Sequence, residues 1–248
     1  MIPLLRSSLL KVPHGFSMRA GGVSPEPYAQ LNLGRKVGDA PANVAENGRR
    51  FLEATGARAL ACLDQVHGDR VLELLEGKPD LSPLGDADAS VTRTPGLALC
   101  IGTADCLPIL IHAPDVNWVG AAHAGWRGAE LRIGARTVET LVTRGANPAN
   151  LKAALGPCIR RCCYEVSDEL AQKFSSAFGD AVVDRSHDKP HLDIALASRM
   201  ALEQAGIPSA SLDDLGEYTA CDSERFFSHR RDRGQTGRML AFIALPSP

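Results

Sequence analysis

No apolar run in this 248-residue sequence approaches the roughly 18 residues that a membrane span requires, so a transmembrane helix is not expected. The net charge of −2 supplies no global field to attract nucleic acid or an anionic membrane surface, and both are disfavoured as partners. The seven cysteines, at 62, 100, 106, 158, 162, 163 and 221, are odd in number and lack the spacing of a disulfide framework. They point to a reducing compartment, and the expected location is cytoplasmic. The sequence has no repeat of fixed period, no low-complexity tract and no long linker, so residues 1–248 are read as one domain. The N-terminal apolar patch is split by Arg6, Ser7 and Ser8 and followed by no small-residue cleavage pattern. It reads as a first strand rather than a secretory signal.

What is present is ordinary globular composition, 44% hydrophobic and 23% charged. Helical spacing and stop signals predict four helices, over 42–55 before Gly56, 129–144 before Gly145, 167–178 after Ser167 and 193–205 before Gly206. Strand-like runs fall at 59–66, 71–75, 87–91, 97–102, 108–112, 118–122, 151–155, 181–183 and 239–244. Short turns between the strands of 87–122 imply antiparallel hairpins. The expected class is α+β, with a mixed, largely antiparallel sheet core flanked by about four helices.

Three segments place a metal-capable side chain at a strand end: Gln65-Val66-His67-Gly68, Ala104-Asp105-Cys106-Leu107-Pro108 and Ala122-His123-Ala124-Gly125-Trp126-Arg127-Gly128. A hairpin centred on Pro114-Asp115 would place Cys106 directly opposite His123, close enough to share an ion. Because Pro-Asp is a poor two-residue turn, a four-residue loop is the other way to close it. One thiolate and two imidazoles suit zinc and leave a coordination position open, as catalytic zinc sites do. Copper is the alternative metal, although blue-copper sites add an axial Met and all four methionines are remote in sequence. Ordinary strand-end histidines and a buried cysteine are the bland reading of the same residues.

Cys158, Cys162 and Cys163 superficially resemble a zinc knuckle but have no matching Cys/His pair nearby, and they read as structural thiols. The chain has no His-x-Glu, and its cysteines are spaced C-x₃-C-C, so the nucleobase-deaminase signature is absent. The Gly125–Gly128 turn leads into a helix whose unpaired N–H groups could receive a phosphate, with Arg127 as a planar fork. Arg19 and the cluster Ser228, His229, Arg230, Arg231, Arg233 and Arg238 are further anion-binding candidates, although by composition alone such residues are more often surface charge than ligand.

Taken together these segments resemble the YfiH-type family, historically labelled multicopper polyphenol oxidase or laccase-like. The resemblance runs through Phe16–Asn47, with its Leu-Asn-Leu-Gly stretch, Gln65–Val71, Asp86–Leu110, His123–Gly128, Leu155–Val166 and Phe227–Arg238. It implies that His67, Cys106 and His123 bind the metal. It also implies phosphorolysis of adenosine, inosine, guanosine and methylthioadenosine, and deamination of adenosine to inosine. On that footing Asp105 is a candidate acid or base, and Arg19, Asn32, Arg127, Arg230 and Arg238 are candidates for holding nucleoside or phosphate. The competing functions are a metal- or Cys106-dependent hydrolase editing peptidoglycan precursors, a copper polyphenol oxidase and a non-catalytic binding module. The oxidase fits poorly, because multicopper sites use His-x-His pairs and none of the seven histidines is so arranged.

Overall fold

The computed structural model describes residues 2–247. In chain order the strands of the amino-terminal half are β1 (Leu4–Leu5), β2 (His14–Ser17), β3 (Ala59–Asp64), β4 (Val71–Glu73), β5 (Pro83–Asp86), β6 (Ala89–Thr92), β7 (Leu97–Thr103), β8 (Leu107–Ala113) and β9 (Trp118–Ala124). The rest are β10 (Lys152–Leu155), β11 (Val183–Asp184), β12 (His191–Leu192), β13 (Leu212–Asp214) and β14 (Met239–Ile243). The helices are α1 (Pro41–Thr55), α2 (Trp126–Glu130), α3 (Ile133–Thr143), α4 (Asp168–Phe178) and α5 (Ile194–Gln204).

Two six-stranded mixed sheets, in the orders β1-β2-β14-β7-β3-β5 and β13-β10-β8-β9-β6-β4, carry the fold. Leu97, Leu99 and Ile101 of the first sheet pack against Leu110, Val119 and Ala121 of the second. Behind the first sheet, Leu60, Ala98 and Phe242 meet Val44 and Phe51 of α1. Behind the second, Ile109 and Ile111 meet Ile133, Val138 and Leu202 of α3 and α5 and Phe174 of α4. The order of layers is therefore helix, sheet, sheet, helices. It explains why β7 to β9 read as continuous apolar runs rather than alternating ones, since both faces of these strands are covered.

The α+β class is as expected, and the helix punctuation acts as read. Gly56 closes α1 at φ 67°, and Ser167 and Asp193 accept the Leu170 and Leu196 amides as N-caps of α4 and α5. The single helix expected over 129–144 is instead two, because Arg132 adopts φ 57° between α2 and α3. The helices thus number five among the described residues. The N-terminal strand is two short strands, and the run expected over 181–183 is mostly a 3₁₀ turn, Asp180–Val182. β5 escapes a sequence reading because Pro83 and Gly85 resemble loop, yet proline is tolerated at the start of an edge strand.

The β8–β9 hairpin differs from expectation by two residues. Its pairs run from Ala113↔Trp118 to Pro108↔His123 and Leu107↔Ala124, so Cys106 falls level with Gly125, not His123. The turn is a four-residue loop whose last residue, Asn117, takes the left-handed φ of 57°. A two-residue slip preserves the face on which each side chain lies. Cys106 and His123 therefore still share the side turned toward the first sheet, at the open end of the layer between the sheets.

Candidate metal centre

The site begins where β3 leaves its sheet. Beyond Asp64 the Gln65 side chain takes over the ladder: Nε2 donates to the Gly102 carbonyl at 2.8 Å and Oε1 accepts the Gly102 amide at 2.7 Å. The next three amides, of Val66, His67 and Gly68, all donate to the Asp88 carboxylate, at 3.1, 3.0 and 2.7 Å. That wrap holds His67 at φ 60°. Asp88 is fully buried, and its Oδ1 also accepts Nδ1–H of His123 at 2.8 Å, leaving Nε2 of that ring as the free ligand atom. The His67 and His123 rings stand 4.9 Å apart at 77°.

Cys106 enters from the β7–β8 connection. Preceding it, Asp105 has φ 93° and a carboxylate that accepts Thr219 Oγ1 at 2.6 Å, Ser228 Oγ at 3.0 Å and the Arg230 amide at 2.7 Å. Asp105 thus pins two distant segments beside Cys106. With three donors converging on it, this carboxylate positions its neighbours. The ligating atoms of His67, Cys106 and His123 all lie within 4.8 Å of one another. Gly125 makes room for them: a Cβ there would sit 3.0 Å from Cys106 Sγ and 3.1 Å from His67 Cδ2.

Electrostatics prepare the donors. Burial alone would push the Cys106 thiol up, but the His123 and His67 imidazoles outweigh it and bring it down to about 6. Burial would likewise lower His123, yet the Cys106 thiolate and the Asp88 carboxylate raise it to about 9. Asp88 stays below the usual carboxylate range despite burial, because His123 and the Gly68 and His67 amides bond to it. The metal-free centre is therefore a thiolate–imidazolium pair, and a cation replaces its proton. One thiolate, two imidazoles and an Asp88 carboxylate that fixes the His123 ring fit a single borderline-soft ion such as zinc.

Above the triad lies a cavity of about 820 Å³. Arg230, Arg238, Tyr164, His229, Trp126 and Lys36 are among the residues that line it. Arg238 is half-buried and makes no ion pair among the described residues; its guanidinium donates to the Thr236 and Gly237 carbonyls at 3.1 and 2.9 Å. Arg230 lies over the Tyr164 ring at 5.1 Å and donates to the Glu165 carbonyl at 2.9 Å.

The other candidates stand elsewhere. Arg127 is exposed, stacked on Trp126 at 4.3 Å and outside the cavity lining, and the helix that contains it, α2, has only five residues. Arg19 is held by the Ala29 and Ser223 carbonyls, at 2.7 and 2.8 Å. Asn32 is a fully buried strut that accepts the Gly34 and Arg238 amides and donates to Asp39. Sequence reasoning missed Asp88, Gln65 and Tyr164. For Asp88 a signal existed, an acidic residue among small residues at a strand start, but only the fold reveals that it serves both histidines.

The three neighbouring cysteines are divided. Cys158 is buried and pushed up to about 12 by that burial, whereas Cys162 and Cys163 meet Cys221. Among the described residues, this trio and the His67–Cys106–His123 set are the two groups of three or more His, Cys, Asp or Glu side chains that could hold a metal. Neither contains a His-x-His pair, and the residues do not fit a multicopper cluster.

Comparison with known proteins agrees with this architecture. A family model described as multi-copper polyphenol oxidoreductase laccase matches residues 13–246. A Deinococcus radiodurans protein named purine nucleoside phosphorylase is 47% identical over 249 residues, covering 99% of this chain and 94% of its own. Escherichia coli purine nucleoside phosphorylase YfiH is 40% identical over 232 residues, covering 92% of each. The crystal structure of the Bacillus licheniformis hypothetical protein YfiH superposes with a TM-score of 0.91 at 33% identity, covering 98% of this chain and 96% of that one. The chain therefore belongs to the laccase-like YfiH family, whose curated relatives carry the name purine nucleoside phosphorylase.

Proposed function

We propose that the cavity is the active site of a zinc-dependent purine nucleoside phosphorylase that also deaminates adenosine to inosine. The observation that carries this reading is the pairing, in one cavity, of the His67–Cys106–His123 set with two arginines, Arg230 and Arg238, that make no ion pair among the described residues. Unpaired guanidinium groups facing a half-enclosed space are suited to a phosphate dianion. Relatives named for phosphorolysis add support.

A zinc ion bound by His67, Cys106 and His123 supplies Lewis acidity at the cavity floor. Asp88 keeps the His123 ring turned, and Gln65 and the Asp88 wrap hold the His67 backbone in place. Arg238 and Arg230 orient phosphate so that one oxygen attacks C1′ of the ribose while the bond from C1′ to the purine nitrogen breaks. The hydrogen of hydrogenphosphate ends on the released base, and the sugar leaves as ribose 1-phosphate. Asp105 acts by fixing Cys106 and the Arg230 backbone. For deamination, water replaces the amino group at C6 of adenine, and ammonia departs. Adenosine, inosine, guanosine and methylthioadenosine are the proposed phosphorolysis substrates.

The test is product analysis on metal-analysed protein with a nucleoside panel, with and without phosphate, beside His67→Ala. Adenosine should give adenine and ribose 1-phosphate with phosphate, inosine without it, and neither in the variant. Stoichiometric zinc with no turnover of any nucleoside would sink the reading. Release of an amino acid from a peptidoglycan precursor instead would favour the hydrolase.

A further inference from the structure

Away from the cavity floor, three cysteine sulfurs from two distant segments meet. Sγ of Cys163 lies 3.0 Å from that of Cys221, Cys162 lies 3.4 Å from Cys221, and Cys162 and Cys163 are 3.7 Å apart. We infer that Cys162, Cys163 and Cys221 form a second metal site, which takes a thiophilic d¹⁰ cation such as zinc. It shares no ligand with the first site and does not rest on the nucleoside reading.

The geometry needs only a small adjustment. With Zn–S near 2.3 Å, a tetrahedral site sets its sulfurs roughly 3.8 Å apart. The trio would open by less than about 1 Å to reach that spacing. A purely sulfur donor set selects soft or borderline ions over magnesium or calcium. Three sulfurs also argue for a cation rather than a disulfide, which would use two and leave the third unexplained.

Access and anchoring both favour binding. Cys162 and Cys221 are exposed and Cys163 is half-buried, so an ion can enter and solvent can complete the coordination. The segments are already in register beside the trio: Cys158 bridges Tyr218, and the Thr219 amide donates to the Cys158 carbonyl at 3.0 Å. A dipositive ion meeting three thiols would give a tris-thiolate complex and release three protons.

The site would act as a clamp at the cavity rim. Tyr164, which follows Cys163, lines the cavity, and Thr219, two residues before Cys221, donates to Asp105 beside Cys106. An ion held by the trio ties these two supports together.

The experiment uses full-length protein, reduced and stripped of metal, carrying Cys106→Ser so that the first site has no thiolate. Titration with Cd²⁺ should raise a thiolate-to-metal ultraviolet band that saturates near about one equivalent per chain. The band should vanish when Cys162, Cys163 and Cys221 are also changed to Ser. Absence of the band, or its persistence in that variant, overturns the site. A second readout needs no substitution: in the unaltered protein, Zn²⁺ should slow maleimide labelling of all three residues at least about tenfold by peptide mass spectrometry. Unchanged labelling, or isolation of the protein with Cys221 in a disulfide to Cys162 or Cys163, overturns it as well.

Discussion

Oδ1 of Asp88 stands 2.8 Å from Nδ1 of His123, and the same carboxylate receives the backbone amides of Val66, His67 and Gly68. One buried acid thus sets the ring orientation of one proposed ligand and the backbone path of another. Asp88→Asn keeps the shape and removes the charge. Zinc affinity should fall about 10- to 100-fold, measured by competition against a chromogenic chelator. A change under threefold would mean that Asp88 serves the fold alone.

Gly125 has φ −71° and ψ −179°, a conformation open to any residue, so its reason for being glycine is the space it leaves beside Cys106 and His67. Gly125→Ala should weaken zinc binding by about tenfold or more while shifting the metal-free melting temperature little. Calorimetric zinc titration alongside thermal melting of the apo protein separates the two effects.

Between about 6 and about 9 the metal-free centre holds Cys106 as thiolate and His123 protonated. Alkylation of Cys106 in apo protein should therefore rise as pH increases through about 6 and then level off, far below the range of an ordinary thiol near 9. Zinc-loaded protein should resist the reagent throughout. Zinc binding near neutral pH should release about one proton, that of His123, seen as a dependence of the binding heat on buffer ionisation enthalpy. Below about 6 the thiol is protonated as well, and zinc affinity should drop with each further pH unit.

Arg238 offers a guanidinium to the cavity and makes no ion pair among the described residues. Arg238→Ala should raise KM for phosphate about 10- to 100-fold, the worth of a charge-assisted bond, and leave phosphate-independent deamination within about threefold. Arg238→Lys should recover only part, since a point charge cannot reproduce the fork. Equal loss of both reactions would assign Arg238 to the fold, because its backbone also meets Asn32.

Much of this arrangement was legible in residue order. Gly56, Ser167 and Asp193 end or start helices for reasons local to each residue, and local chemistry is what a sequence records directly. The apolar runs of β7 to β9 are recognisable in the sequence, and the poor turn chemistry of Pro114-Asp115 allows the four-residue loop that joins β8 and β9. The register departs from the expected one because the left-handed Asn117 moves the centre of the turn by one residue.

Long-range relations were not legible. Arg127 looked like an anion ligand beside His123 but folds outward onto Trp126, while Arg230 and Arg238, more than a hundred residues from Cys106, reach the cavity. Cys158 looked like a partner of Cys162 and Cys163, yet Cys221 takes that place. Tertiary packing chose in each case, because contact between distant segments depends on how two sheets and their helices stack. The sequence by itself determined the donor types, two imidazoles and a thiolate at strand ends, and hence the class of metal they suit. Only the fold decided that Asp88 would orient them, that Gly125 would leave them room and that Arg230 and Arg238 would face them, since each of these is a distance rather than a residue type.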